Sequence, residues 1–338
     1  MSESALTTQG ILDAFREGRV HGQRGPVGVA GALLTPKSLV LFLPHGTVLK
    51  LRRPRQVLGV DQTTRSLRVY GAEQELWIGR RASPSVYLAD CSLQYDGERY
   101  EIVPGVLGGE PLVAMRRLPD EGRLDALVVD PATTAETLRP IAALLADFHE
   151  GSPLHRAHDD GYGRPERNAE RWERALTSLA TAPDAPLTAD EHARLAGETG
   201  EWLAACEGHF VHRITEGRIR HAHGDVRLEH LYLEDGGAAA LIDPSEARDE
   251  LHWMDTAEEL GALGMELDAA GRRDLAEEVL DLYAGLTQDR TLRYVTPIFK
   301  RLAAIRRAIQ LVAEREEGEV DAAAKARFYV DLALSYGG

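Results

Sequence analysis

The N-terminal third of the chain alternates short apolar runs with Gly and Pro, a pattern typical of β-strands joined by turns. Between about residues 28 and 115 this pattern predicts strands at Ser38–Leu43, Thr47–Leu51, Tyr100–Val103 and Leu112–Met115. Between the second and third of these, Ser66–Ala82 mixes apolar and charged residues in a spacing that predicts one amphipathic helix. We therefore predict a small, five-strand-like sheet lobe with one helix.

From about residue 134 the apolar positions recur at helical spacing instead. The first predicted helix carries on one face Leu138, Ile141, Leu144, Leu145 and Phe148. Further helices are predicted over residues 169–180, 189–213, 256–267, 274–284 and 297–313. A β-hairpin of His230–Leu233 and Ala240–Ile242, turning at Gly236-Gly237, interrupts them. These patterns predict an α+β chain with an N-lobe of residues 1–116 and a larger helical C-lobe of residues 117–338.

Composition excludes several classes of partner. The chain has 338 residues, 43% of them hydrophobic and 28% charged, which is enough for a sizeable core. Its formal net charge of −15 argues against nucleic acid or an anionic membrane as the partner. No apolar run approaches the roughly 20 residues of a membrane span, and the N-terminus lacks signal-peptide features, so we expect a cytoplasmic protein. Cys91 and Cys206 belong to no closely spaced Cys/His set and are expected to be reduced thiols.

Two carboxylates flank the predicted hairpin. His223-Gly224-Asp225 precedes it, and Ile242-Asp243-Pro244 follows with Asp243 placed 18 residues after Asp225. Each aspartate alone is better explained as a turn residue. Together they suit phosphoryl transfer from ATP, which needs one carboxylate to take the acceptor's proton and another to hold Mg²⁺ against the phosphates. Asp225, on the loop, suits the base, and Asp243, at the end of an apolar strand, suits the metal ligand.

The segment resembles the His-Gly-Asp catalytic loop and Ile-Asp metal segment of aminoglycoside phosphotransferases and choline kinases, relatives of the protein kinases. A longer similarity, over about residues 28–315, is to the kinase-like domain of bacterial fusion proteins in which a P-loop ATPase domain follows. It rests on Thr47–Pro54, Leu112–Pro119, His223–Glu234 and Trp253–Leu267. The chain has no G-x-x-x-x-G-K-[ST] motif, so we expect the kinase-like domain to stand alone.

The resemblance implies a two-lobed protein-kinase-like fold, ATP or GTP and Mg²⁺ as cofactors, and a small-molecule hydroxyl acceptor such as an antibiotic, sugar or nucleoside. It assigns Lys50 to the α- and β-phosphates and pairs it with Glu75, with Glu73 as the alternative partner. It also makes Val113 and Met115 part of a hinge that contacts adenine. The candidates for a phosphate-covering loop are Gly22, Gly25, Gly28 and Gly31, although they match no strict kinase glycine pattern.

The main departure from the family pattern is His230, which stands where the family has a metal-binding Asn. Mg²⁺ prefers oxygen ligands, so His230 either contacts phosphate, tolerates Mn²⁺ or leaves one metal site weak. This departure keeps an alternative function open, a catalytically silent nucleotide-binding pseudokinase. A protein kinase ranks last, because no activation segment is recognisable after Asp243.

Several acidic residues have competing interpretations. Asp255 is expected to anchor the catalytic loop from the following helix, whereas Glu258 and Glu259 are expected to be surface charge. Asp159-Asp160 and the acidic helix of residues 255–266 would suit a cationic acceptor, although solvated faces explain them equally well.

Overall fold

The computed structural model of the protein describes residues 7–57, 60–155, 161–245, 252–316 and 321–337. Asp159-Asp160 lies outside the described residues. The chain divides into two compact units. Unit 1 comprises the described residues up to Asp120 together with Ala240–Ser245, and unit 2 comprises Glu121–Ala239 and the chain from His252 onward.

Unit 1 is built on one mixed sheet. In its described residues eight strands follow the order β2-β1-β9-β8-β10-β5-β4-β3, and the neighbours are antiparallel except for β1 and β9. They are β1 (Val20–Gly22), β2 (Gly25–Pro26), β3 (Gly31–Leu34), β4 (Ser38–Phe42), β5 (Thr47–Arg52), β8 (Tyr87–Tyr95), β9 (Tyr100–Pro104) and β10 (Glu110–Arg116), with a separate pair β6 (Gln56–Val57) and β7 (Val60–Asp61). The predicted strands correspond to β4, β5, β9 and β10. The five-strand-like sheet was wrong: it left out β8, although Asp90, Ser92 and Gln94 alternate with apolar residues as in a half-buried strand, and it left out β1 to β3, which are very short.

Two helices cover this sheet. Helix α1 (Thr8–Arg16) buries Ile11, Leu12 and Phe15 in the same core as the leucines of β4 and β5. Helix α2 (Arg65–Ala82) confirms the helix predicted at residues 66–82, and it is capped by Thr64, whose hydroxyl accepts a hydrogen bond from the Leu67 amide.

Unit 2 is mostly helical. Its helices are α3 (Leu124–Leu127), α4 (Ala135–Gly151), α5 (Pro165–Ala180), α6 (Ala189–Ala205), α7 (Glu207–Thr215), α8 (Thr256–Ala269), α9 (Arg273–Thr287), α10 (Leu292–Glu316) and α11 (Ala322–Ser335). The single helix predicted over residues 189–213 was wrong, since α6 and α7 meet at Cys206. Gly261 lets α8 approach α10 closely, because a Cβ there would lie 2.6 Å from Cβ of Phe299. No helix in the described ranges is long and apolar enough to cross a bilayer.

Short strands frame the loop that carries Asp225. Strand β11 (Ile219–His221) pairs antiparallel with β14 (Trp253–Asp255), so that α8 starts directly after this pair. Strands β12 (Leu231–Leu233) and β13 (Ala239–Leu241) form the two-stranded sheet that the glycine turn predicted.

Candidate active site

Lys50 lies in the interior of the unit 1 sheet. It is opposite Val40 of β4 and Val113 of β10, and its side chain is 8% exposed. Its Nζ donates a hydrogen bond to Oε1 of Glu75 at 3.2 Å and also contacts Oδ1 of Asp243. Buried ammonium groups need such partners, because an unpaired charge in a low-dielectric interior is costly. Three of the predicted site residues therefore meet around one ammonium group.

Glu75 connects helix α2 to the sheet. Its side chain is 2% exposed, and its second oxygen, Oε2, accepts a hydrogen bond from Nη2 of Arg52 at 2.7 Å. Arg52 lies two residues after Lys50 on β5, so the two cations project from the same face of the strand. Glu73, the other candidate partner, is exposed. Glu75 and Arg52 together fix the position of the Lys50 side chain.

Asp243 has a left-handed backbone, with a φ of 60°. This conformation is disfavoured for a residue with a Cβ and persists only where the surroundings impose it. The Asp243 amide donates a hydrogen bond to the Tyr87 hydroxyl at 2.8 Å, and the Tyr87 ring packs against Gly79, where a Cβ would lie 2.4 Å from a ring carbon. Burial raises the pKa of Tyr87 well above its usual value, and the nearby Glu75 and Asp243 carboxylates raise it further.

Ser83 holds the strand that leads to Asp243. Its hydroxyl donates to the Leu241 carbonyl oxygen at 3.0 Å and accepts from the Leu241 amide at 2.7 Å. Ser83 is the C-cap residue of α2, so the helix that carries Glu75 also positions the segment that carries Asp243. The Asp243 side chain nevertheless stays 45% exposed.

In unit 2, buried side chains hold the backbone beside Asp225. The Gly224 amide donates a hydrogen bond to Oε1 of Glu259 at 2.5 Å, and Oε2 of Glu259 lies 2.8 Å from Nε2 of His149. Nδ1 of His149 in turn lies 2.8 Å from the Tyr283 hydroxyl. Burial alone would raise the pKa of Glu259, but His149 and the Gly224 amide outweigh it and lower that pKa. The Asp225 side chain is 40% exposed, so the loop is fixed while its carboxylate remains accessible.

The structure corrects the expectation that Glu258 and Glu259 are surface charge, because both are buried. Glu258 accepts hydrogen bonds from Arg171 at 2.5 and 2.7 Å and from Arg306 at 2.5 Å. Burial would raise the pKa of Glu258, but the two guanidinium groups outweigh it and lower that pKa to about 2. A purely helical periodicity missed these residues, since it treats every charged position as solvated.

Asp255 has a different task from the predicted one. It caps α8 by accepting a hydrogen bond from the Ala257 amide at 2.8 Å, and it accepts another from Arg213 at 2.7 Å. Arg213 is fully buried and also binds Asp289 at 2.8 Å. Asp255 therefore fixes the start of α8, and Glu259, one turn further along, contacts the loop that carries Asp225.

His230 lies at the far end of the same loop. Its Nδ1 is 2.9 Å from the Asp225 carbonyl oxygen, which fits an Nδ1–H donor, and its side chain is 11% exposed. This bond closes the loop from Asp225 to the 3₁₀ turn that ends at His230. A role of His230 in metal binding stays a prediction.

Val113 and Met115 are both buried on β10. This strand pairs with β5 on one side and β8 on the other across these residues, with an irregularity between Ala114 and Met115. Their contact with adenine stays a prediction. Of the four candidate glycines, Gly22 and Gly25 pair with each other where β1 turns into β2, Gly28 follows this hairpin and Gly31 starts β3.

Sequence comparison decides the family. A model of the phosphotransferase enzyme family matches residues 46–294. The chain belongs to this family. An uncharacterized protein of Mycobacterium tuberculosis is 30% identical over 297 residues, which are 88% of this chain and 58% of that protein. The chain thus spans little more than half of the length of this relative.

Solved structures of phosphotransferases share the fold. A choline kinase from Cryptosporidium parvum matches with a TM-score of 0.57 at 9% identity, covering 92% of this chain and 88% of that one. An aminoglycoside phosphotransferase in a ternary complex with AMP-PNP and hygromycin B matches with a TM-score of 0.53 at 12% identity, covering 92% and 95%. These matches confirm the α+β, protein-kinase-like fold.

The family and the shared fold support a phosphotransferase of small molecules, and they give no support to the pseudokinase alternative.

Proposed function

We propose that this phosphotransferase moves the γ-phosphoryl group of ATP onto a hydroxyl group of a small molecule. The observation that carries the proposal is the Lys50 ammonium held between the carboxylates of Glu75 and Asp243. Kinases use a lysine fixed by a helix glutamate to bind phosphates, beside an aspartate that binds the metal ion. The similar structures include one with AMP-PNP bound, which supports ATP as the donor, and GTP is the alternative to be tested.

The residues of unit 1 would bind the nucleotide. Lys50 would exchange its contact with Asp243 for the α- and β-phosphates and keep its bond to Glu75. Val113 and Met115 would pack on the adenine ring, because both present apolar side chains in the strand beside β5. The nucleotide site therefore uses groups that the sheet and α2 already hold in place.

The residues fit a Mg²⁺ ion brought in with the nucleotide. The described ranges contain no group of three or more His, Cys, Asp or Glu side chains placed to hold a metal ion, which suits a metal that phosphates help to hold. Asp243 would bind it through a half-exposed carboxylate, the hard ligand that Mg²⁺ prefers. His230 is a second candidate ligand of softer character. When bound, the ion would neutralise charge on the phosphates.

Asp225 would serve the acceptor. Its carboxylate would orient the acceptor hydroxyl and take its proton as the oxygen forms a bond to the γ-phosphorus and the bond from that phosphorus to the ADP oxygen breaks. Glu259 and His230 would keep the loop rigid through the backbone groups of Gly224 and Asp225. The base would therefore be positioned without losing its exposure.

The test is nucleotide consumption by the purified chain with ATP or GTP, with Mg²⁺ or Mn²⁺, across a panel of hydroxylated antibiotics, sugars, amino alcohols, hydroxy amino acids and nucleosides. We expect acceptor-dependent ADP or GDP formation that Asp225→Asn abolishes. Nucleotide binding without consumption across the panel would contradict the proposal, as would normal turnover by Asp225→Asn.

A further inference from the structure

A pocket of about 140 Å³ opens beside Asp225, within unit 2. Its walls come from the catalytic loop, from α8 and from α10. One side is apolar and includes Met254, Met265, Phe299 and Leu302. Pockets for drug-sized ligands hold about 300–1,000 Å³, and an engineered cavity of about 150 Å³ in another protein holds benzene. The pocket beside Asp225 is therefore matched to a molecule of a few heavy atoms.

Most of the charged groups in its wall already have protein partners. Glu258 is bound by Arg171 and Arg306, and Glu259 by His149 and the Gly224 amide. Arg227 is paired with Glu229 at 2.8 Å. These charged groups neutralise one another. They line the pocket walls but leave no unpaired charge available to a ligand.

Glu266 is the exception among the carboxylates. It lies on α8, half-buried in the same pocket wall, and within the described residues it forms no hydrogen bond and no ion pair. Burial raises its pKa; Arg227 and Arg307 act against that rise, and the charges of Glu229 and Asp225 add to it. Buried carboxylates without a partner are rare in proteins, because desolvation penalises the charged form. This position therefore points to a cationic or hydrogen-bond-donating group supplied by a ligand.

Arg307 is the exception among the cations. It lies on α10 in the same wall, and its Nε is buried without a hydrogen-bond acceptor in the part of the chain that the structure describes. Burial and the charge of Glu266 raise the pKa of Tyr329, whereas the charge of Arg307 and its hydrogen bond to the Tyr329 hydroxyl lower it, so the partner of this guanidinium group is a neutral hydroxyl and not a carboxylate. Arg307 and Glu266 are thus neighbours that do not pair within 4.0 Å of each other. A guanidinium group in this state suits a carboxylate ligand.

We propose that the acceptor is a small zwitterionic hydroxy compound of the hydroxy-amino-acid class, with its ammonium group at Glu266, its carboxylate at Arg307 and its hydroxyl at Asp225. The inference rests on the proposed function, since it takes Asp225 as the base. A polycationic acceptor would place further ammonium groups beside Arg307 and Arg227, where like charges repel. The volume of the pocket and its opposite charges both favour the zwitterion.

Binding is measured first, by titration calorimetry of the full chain without nucleotide. The probes are L-serine, L-homoserine and L-threonine, each compared with an amino alcohol and a hydroxy acid of matched length and with an aminoglycoside. Turnover with ATP and Mg²⁺ is then measured on the same compounds. We expect at least one zwitterion to bind and turn over, and removal of either charged group from it to weaken binding about 10- to 100-fold.

Variants connect the preference to the two residues. Glu266→Gln is expected to raise KM for the zwitterion about 10- to 100-fold and to leave KM for ATP unchanged. The hydroxy acid has no ammonium group for Glu266 to bind, so the difference in KM between the zwitterion and the hydroxy acid should become smaller in this variant. Arg307→Gln should instead reduce the difference in KM between the zwitterion and the amino alcohol, because the amino alcohol has no carboxylate for Arg307 to bind. Glu278→Gln is the matched control, because Glu278 is exposed on α9 outside this pocket, and it should change neither constant.

The outcomes separate the two proposals. Binding of a zwitterion that both variants weaken, without turnover, supports the zwitterion site at Glu266 and Arg307 and contradicts the proposed function. Turnover of a sugar or an aminoglycoside that neither variant affects supports the proposed function and overturns this inference. Absence of both binding and turnover for every zwitterion also overturns it.

Discussion

The site residues of unit 1 and unit 2 are held in different ways. In unit 1 Lys50, Glu75 and Asp243 contact one another directly through their charged groups. In unit 2 Asp225 is held through its backbone, by Glu259 at the preceding amide and by His230 at its own carbonyl oxygen. Direct pairing suits groups whose partners are exchanged when a charged ligand binds. Indirect support suits a base, because a direct ion pair would stabilise its charged form and weaken its attraction for a proton.

The largest effect is expected at Asp225. Asp225→Asn should lower kcat by about 10²- to 10⁴-fold, since general-base catalysis contributes on that scale, and should leave nucleotide affinity within about twofold. Turnover measures the first quantity and calorimetric titration of ATP with Mg²⁺ the second. A loss of nucleotide affinity as large as the loss of turnover would show that Asp225 acts in nucleotide binding and not as the base for the acceptor.

Asp243 provides the contrasting variant in unit 1. Asp243→Asn keeps the size of the side chain but removes the charge, so affinity for ATP in the presence of Mg²⁺ should fall by about tenfold or more. Titrations with and without Mg²⁺ check this, because the variant should respond to the metal far less than the unaltered chain. An unchanged Mg²⁺ dependence of ATP binding in the variant would show that Asp243 does not bind the metal ion.

Glu259 tests whether indirect support matters. Glu259→Gln should lower kcat by about tenfold with little change in KM for ATP, because the loop next to Asp225 loses an ionised acceptor. Glu258→Gln is the control, since it breaks a comparably buried pair that does not contact the Gly224 amide. Equal losses of kcat in both variants at equal stability would show that Glu259 acts only through folding.

Acid pH should weaken the contribution of Glu258 to the stability of the fold. The pKa of Glu258 is about 2 in the folded chain, below the ordinary value of 4.5, so its contribution to stability is present above 4.5 and is lost as the pH falls toward 2. The difference in free energy of unfolding between the unaltered chain and Glu258→Gln should therefore shrink from about pH 6 to about pH 3. Denaturant titrations at several pH values measure it, and a constant difference would contradict this account.

The smallest effect is expected at Ser83. Ser83→Ala leaves both polar groups of Leu241 without that hydroxyl, which should cost about 1–3 kcal/mol of stability and weaken Mg²⁺-dependent nucleotide binding slightly through Asp243. Ser66→Ala on the exposed face of α2 is the control and should be near neutral. Chemical denaturation and ATP titration are the measurements.

Secondary structure was predicted most accurately for elements in which a single hydrophobic periodicity dominates. Helix α2 and strands β4, β5 and β10 follow from apolar spacing, and the order of motifs placed Lys50, Glu75 and Asp243 in one site. The prediction missed β8, although its polar and apolar residues alternate from Ala89 to Tyr95 as in a half-buried strand. The prediction also failed at the junction of α6 and α7, because no Gly or Pro stands at Cys206 itself and the nearby Gly208 lies within α7.

The supporting residues were harder to predict. Glu259 has the same sequence signature as a solvated helix residue, and only the packing of α4 and α9 around it shows that it is buried. Tyr87 and Ser83 are far in sequence from Leu241 and Asp243, so their hydrogen bonds become visible only with the tertiary fold. A weak signal existed for Arg52, which repeats a cation two positions after Lys50 on the same face of β5.

The contact between Lys50 and Asp243 has a consequence for the order in which ligands bind. In the nucleotide-free protein the lysine serves as an internal counter-ion for Asp243. If ATP arrived without metal, it would draw Lys50 toward its phosphates and leave the aspartate facing those phosphates with no cation between them. Arrival of the magnesium complex would avoid this repulsion, because Asp243 would gain the ion as it gives up Lys50, and the phosphates would gain Lys50 while keeping the ion. The protein would therefore discriminate against metal-free nucleotide at the binding step, before any chemistry begins.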